Sequence, residues 1–380
     1  MQWNRMWIWC GVLLALWPDS LRADVSSAIQ AIQSVGHNGE GHAAAQQAVR
    51  ELGQADASSL TTILIALDES NPLAANWLRG AFESVAARAQ QSAAGLPVAE
   101  LRTFYQNRKH DPRARRLAYE WIIRAKPELT EELIAAAVDD PSAEMRRDAV
   151  DRLLNQARLA EAEGQQAEAI STLQQALSAA GEPSQVDPIA KELEKLGVKV
   201  DRVDHYGMLT EWHVIGPFDN REMKGFPVEY PPEQTVDLKA VYDGQKGEVR
   251  WTKYVTEADD GKFDLAKLTE PHKGAIDYVT AEFQSDRAQP VEFRLATPNA
   301  WKLWLNGELL FAREEYHRGM RFDQYRIPGA LKAGTNRILI KVCQNEQDQS
   351  WAQDWCFQFR VCDPYGRALH AITQVAEQSR

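Results

Sequence analysis

Between Gln344 and Trp355, twelve consecutive residues carry five carboxamides, three carboxylates and two indoles. Amides and carboxylates can hydrogen-bond hydroxyl groups in pairs, and an indole face can stack on the apolar face of a sugar ring. Gln344, Asn345, Glu346, Trp351, Asp354 and Trp355 are therefore candidate ligand-binding residues. Tyr316-His317-Arg318 is a second polar-aromatic cluster, and it adds Tyr316 and His317 to the candidates. A plainer account competes: Trp351 and Trp355 edge the core, the amides tie down a long loop, and Tyr316 is a packed ring in a solvated one. A structural Ca²⁺ held by Glu346, Asp348 and Asp354 is a further alternative, since hard cations take oxygen ligands.

Other chemistry is missing. The chain has no glycine-rich phosphate loop, Gly-x-Ser-x-Gly, His-Glu-x-x-His or Cys-x-x-Cys, and its eight histidines show no metal-ligand spacing. Glycoside hydrolysis needs two placed carboxylates. Glu314, Glu315, Asp323, Glu346 and Asp354 are available, but spacing singles out none. No catalytic residue and no cofactor is expected. A net charge of −11 argues against nucleic acid as a partner, which would call for a basic surface. The run Arg113, Arg115, Arg116 reads as a solvated helix face.

Two compositions must position these residues. Between Asp24 and Val200 there are six aromatic residues, and between His205 and Tyr365 there are 23. The first stretch is rich in Ala, Gln, Glu, Leu and Arg, good helix formers, with apolar residues at helical spacing and breaks at Pro72, Pro97, Pro112, Pro127, Pro141 and Gly164. That predicts an α-helical, solenoid-like repeat region over 24–200. Asp140-Pro141, followed by Arg146 and Ala149, resembles the signature of HEAT repeats. Asp111-Pro112 and Asn71-Pro72 are shorter versions; in each, a capping side chain precedes proline at the first helical position. Residues 153–180 resemble a tetratricopeptide hairpin.

Upstream, Arg5 precedes twelve apolar residues, Met6 to Trp17, and then Pro18. That run is too short to span a bilayer, so residues 1–23 are expected to be a signal peptide cut after Ala23, although Leu21 departs from the small-residue rule. The mature chain would be exported to the periplasm or the exterior, with no membrane span.

Strand-like alternation begins near Leu209, and Asn306-Gly307 marks a hairpin because both turn residues need positive φ. About eight strands over 205–365 predict an all-β jelly-roll sandwich, with 366–380 as a tail. Trp212 and Trp301 read as core. If segments 337–344 and 355–362 pair as a hairpin, Cys343 faces Cys356; a bridge and three buried free thiols are both open.

Trp304-Leu305-Asn306-Gly307-Glu308, followed by Ile327-Pro328, Leu331, Gly334, Asn336 and the strand to Val342, resembles the galactose-binding-like jelly rolls attached to β-galactosidases and related glycoside hydrolases. The match covers roughly residues 275–363. It implies the fold and an accessory or carbohydrate-binding role. The motif residues build turns and core and are not sugar ligands. The expected function is a non-catalytic scaffold or binding protein whose β-sandwich recognises a glycan or a protein and whose repeats dock partners. The alternatives are a purely structural interaction module and an accessory subunit of a glycoside hydrolase.

Overall fold

The computed structural model describes residues 19–270 and 273–372. The expected signal peptide lies outside the described residues as far as Pro18, as does the tail from residue 373. The chain divides into two compact units, 1–145 and 146–380.

The first unit is helical: α1 (Asp19–Gln33), α2 (His42–Leu52), α3 (Leu60–Asp68), α4 (Pro72–Gln91), α5 (Val98–Gln106), α6 (Pro112–Ala125), α7 (Thr130–Ala135) and the first residues of α8 (Ala143–Ala162). Neighbours pack in pairs, α1 on α2, α3 on α4 and α5 on α6. The Asn/Asp-Pro pairs act as the sequence predicts. Asn71 Oδ1 accepts from the backbone N–H groups of Leu73 and Ala74, both at 2.9 Å, and Asp111 Oδ1 accepts from that of Arg113 at 2.7 Å.

Asp140 does more than cap. Its carboxylate accepts from Ser142 N at 2.8 Å and receives Arg115 bidentately at 2.9 and 2.6 Å. Arg115 also donates through Nε to the Tyr105 carbonyl at 2.8 Å. Both charged side chains are 1% exposed. The expected solvated arginine face is thus corrected. Arg115 is a buried tie between helices, Arg113 folds back on Asp111, and Arg116 pairs with Glu120.

The second unit continues through α8, α9 (Gln166–Ala179), α10 (Pro183–Lys195) and the short α11 (Arg202–Tyr206) before the strands begin. The change in composition near 197–205 matches the passage from helix to strand, yet the helices from 146 onward belong to the same compact unit as the sheets. His205 Nε2 meets the Ala180 carbonyl at 3.0 Å, and Met208 and Leu209 bond to β12.

The strands are β1 (Glu211–Asp219), β2 (Val241–Gly244), β3 (Gly247–Arg250), β4 (Thr252–Val255), β5 (Phe263–Asp264), β6 (Ala275–Ser285), β7 (Gln289–Ala296), β8 (Ala300–Leu305), β9 (Glu308–Arg313), β10 (Tyr325–Leu331), β11 (Gly334–Gln344) and β12 (Cys356–Cys362). All pairings are antiparallel. One sheet runs β4-β1-β6-β11-β8-β9, the other β10-β7-β12-β5, and β2-β3 stands apart as a hairpin.

Between the two larger sheets lies an aromatic core that includes Trp212, Phe293, Trp301, Trp355, Phe357 and Phe359. Removing one such ring costs about 3–5 kcal/mol. The β8–β9 turn has Asn306 and Gly307 at φ +53° and +89°, so Trp301, Leu303 and Leu305 face this core and Trp304 faces away from it.

A second apolar layer covers the outer face of the six-stranded sheet, where Phe226, Tyr230, Val236 and Tyr242 pack on Ile215, Phe218, Tyr278 and Trp304. Lys341 of β11 is buried inside it. Its Nζ donates to the carbonyls of Gly225, Phe226 and Val228 and to Glu233, and the rings of Tyr230 and Tyr278 flank it. A buried ammonium survives only with such a set of acceptors.

Candidate functional site

Residues 345–355 link β11 of the six-stranded sheet to β12 of the four-stranded one. The expected hairpin between these strands does not form: β11 pairs with β6 and β8, and β12 with β7 and β5. Cys343 and Cys356 therefore sit in different sheets, and these two and Cys362 are buried free thiols. A segment that passes from one sheet to the other loses its ladder partners, so its backbone carbonyls must be met by side chains.

The amides near the segment's two ends do this work. Gln344 Nε2 donates to the carbonyls of Ala352 and Asp354 at 3.3 and 3.4 Å, while its Oε1 accepts from Asn299 Nδ2 at 3.3 Å. Asn299 Nδ2 also reaches the Asp354 carbonyl at 3.1 Å, and its Oδ1 accepts from Cys356 N. Lys273 Nζ donates to the Ala352 carbonyl at 2.7 Å. Gln344 is buried, and Trp355 is a 1% exposed core residue. Neither is a ligand group, which corrects two of the eight candidates.

The middle of the segment is different. A single turn, Ser350–Ala352, lifts Trp351 to 59% exposure. His317, on the β9–β10 connection, meets it edge-on with ring centroids 5.4 Å apart. His317 is held at φ +56°, uncommon for a residue with a side chain. Its Nε2 lies 2.7 Å from Asn345 Oδ1, which also accepts from Gln347 N. Because Asn345 Oδ1 is an acceptor there, the imidazole hydrogen is on Nε2 and Nδ1 is left as the acceptor.

Tyr316 stands behind this pair. Its phenol oxygen accepts from Asn220 Nδ2, which also donates to the Gln344 carbonyl. Burial first, then Cys343, pushes the Tyr316 hydroxyl upward from its ordinary range. The structure thus brings Asn345, Tyr316, His317 and Trp351 together around one exposed indole.

Glu346 and Asp354 point elsewhere. Glu346 accepts from Glu222 N at 2.6 Å, and Asp354 lines a separate cleft beside Met320 and Phe322. Among the described residues no three His, Cys, Asp or Glu side chains meet as a metal ion requires, so the Ca²⁺ alternative at Glu346, Asp348 and Asp354 has no ligand cluster.

The spare carboxylates are mostly committed. Burial raises the pKa of Asp323, but the hydrogen bond and charge of Arg360, with Arg294 behind it, outweigh burial and hold it below the usual range. Glu315 is lowered by its hydrogen bond to Arg313. Sequence reasoning missed Asp277. It is fully buried on β6, accepts from Thr269 Oγ1 at 2.8 Å through Oδ2, and has no partner for Oδ1. Burial raises its pKa well above that of a free carboxylic acid. The approach is close enough that a Cβ on Gly216 would lie 2.0 Å from Oδ1. A polar residue alternating with apolar ones along a buried strand was the only available signal.

No family model matches the chain, and no curated protein matches it. Solved structures show partial likenesses. An anti-sigma factor domain-containing protein from Clostridium clariflavum is 11% identical over 44% of this chain and 45% of its own, at a TM-score of 0.24. The PA14 domain of the antifreeze protein MpAFP is 12% identical over 26% and 47%, at 0.20. A β-glucosidase from Kluyveromyces marxianus is 13% identical over 48% and 21%, at 0.26. The chain spans less than half the length of each. Scores this low carry neither fold nor function across.

Proposed function

We propose that this chain is an exported, non-catalytic binding protein whose β-sandwich recognises a glycan at the Trp351–His317 face. The observation that carries the reading is the exposed indole of Trp351 on a segment whose backbone is fixed by buried amides. A platform ordered before the ligand arrives avoids the entropy cost of ordering it on binding. The indole offers a stacking face, and His317 Nδ1 an acceptor for a sugar hydroxyl.

The two sheets support a jelly-roll reading, because strands from β6 onward alternate between them apart from the β8–β9 hairpin. The first unit is read as a HEAT-like docking scaffold, supported by its paired helices and the recurring Asn/Asp-Pro caps. Residues 153–180, within α8 and α9, are read as a tetratricopeptide-like hairpin. Export rests on the sequence of residues 1–23.

Calorimetric titration of the full chain with a panel of neutral and acidic oligosaccharides tests the reading. At least one class should bind, and Trp351→Ala should weaken it at least about tenfold, equivalent to ~1.4 kcal/mol, with the melting temperature unchanged. Silence across the panel, or equal binding by Trp351→Ala, rules the glycan out. N-terminal sequencing of the protein recovered from the cell envelope should begin at Asp24.

A further inference from the structure

Asp354 belongs to a second cleft, of about 390 Å³, that none of Trp351, His317 and Asn345 lines. Its apolar surface comes from Tyr206, Met208, Met320 and Phe322. The rings of Tyr206 and Phe322 are 4.6 Å apart, and Met320 Sδ lies 3.8 Å from the buried Cys356 thiol. Thioethers and aromatic faces accept an alkyl stem without demanding one shape.

The rim carries charge. Asp187, Asp259, Asp260 and Asp354 line the cleft, with Arg202, Lys262 and Arg321. Arg202 is already paired with Asp187 at 3.4 Å and with Glu194 at 3.1 Å. Three exposed carboxylates then remain against two cations. Their field is felt inside: after burial, Asp354 does most to push the Cys356 thiol up to about 12, with Asp264 and Asp260 adding to it.

Tyr206 supplies an independent observation. It lines the cleft, is 7% exposed, and its buried hydroxyl has no hydrogen-bond partner. After burial, the charge acting on it most is Asp187 of the cleft wall, so the hydroxyl is turned towards the cleft. A buried acceptor without a donor is a defect unless something supplies one.

We propose that this cleft takes an arginine side chain of a peptide partner. The stem lies on Met320 and Phe322, the guanidinium sits among Asp259, Asp260 and Asp354, and Tyr206 Oη accepts one of its N–H groups. Stems of long cationic residues pack on apolar surface while their heads stay among polar groups, and guanidinium is the cation suited to several carboxylates at once.

Fluorescence anisotropy of a labelled arginine-rich heptapeptide with the full chain tests this, against a counterpart carrying glutamate in place of arginine. The arginine peptide should bind at least about tenfold more tightly and weaken as salt rises. Asp259→Asn, Asp260→Asn and Asp354→Asn together should lower its affinity about tenfold or more. Tyr206→Phe should lower it about threefold while leaving the melting temperature unchanged or higher, since the lost hydroxyl had no partner to lose. Equal affinity for the two peptides, binding absent up to about millimolar peptide, or a triple variant that binds like the parent would overturn the proposal. Trp351→Ala should bind the arginine peptide as the parent does, so failure here and failure of the glycan reading are separate results.

Discussion

The helical unit and the β-sandwich each bury charge, and they satisfy it differently. In the helices, Arg115 and Asp140 form one bidentate pair, and Asp140 also caps the turn it sits in. In the sandwich, Lys341 is met mainly by backbone carbonyls from a segment more than a hundred residues earlier in the chain, and Gln344 and Asn299 meet the carbonyls of a segment that changes sheets. The helical device is a pair whose members lose everything together. The sandwich device is distributed, so each member shares its acceptors with others.

This contrast can be broken by substitution. Asp140→Ala strands a buried guanidinium and should cost about 3–5 kcal/mol, read from chemical denaturation of the full chain. A loss within the range of an exposed ion pair, below about 1 kcal/mol, would mean that water reaches Arg115. Gln344→Ala should cost less, about 1–3 kcal/mol, because Lys273 still serves the Ala352 carbonyl and Asn299 that of Asp354. A cost matching that of Asp140→Ala would show that the sandwich network is no more tolerant than the helical pair.

Asp277 sharpens the comparison through pH. Its folded pKa is raised, so the native state keeps a proton that the unfolded chain gives up near the ordinary carboxylate range. Stability from this group is fully present below about pH 4 and is lost as pH rises towards the folded value, by at most ~1.4 kcal/mol per pH unit. Asp277→Asn removes the titration, so the variant should gain on the parent as pH rises from about 4 to 8. Parallel stability curves across that range would show that Asp277 is ionised in the folded protein.

Local chemistry was legible and distant chemistry was not. Asn71, Asp111 and Asp140 cap the helices that their Pro-containing motifs predict, and Asn306-Gly307 turns the hairpin it predicts, because each acts on backbone within a few residues. The identity of the candidate segment, 344–355, was also readable from its composition. Which of its residues face outward was not. Trp351 and Trp355 are four positions apart and alike in type, yet one is exposed and the other is core, because a single turn and the entry into β12 set their directions.

The sequence by itself determined where helix gives way to strand, since aromatic and β-branched residues fit a pleated surface and Ala, Glu and Leu fit a helix. It also determined the hairpin and the cap positions. Only the tertiary structure decided that β11 and β12 belong to different sheets, that Gln344 meets Asn299, that Arg115 is buried, and that Asp354 turns away from Trp351. Strand pairing and buried polar contacts join residues tens to hundreds of positions apart. Their energies depend on partners and burial that no local window contains.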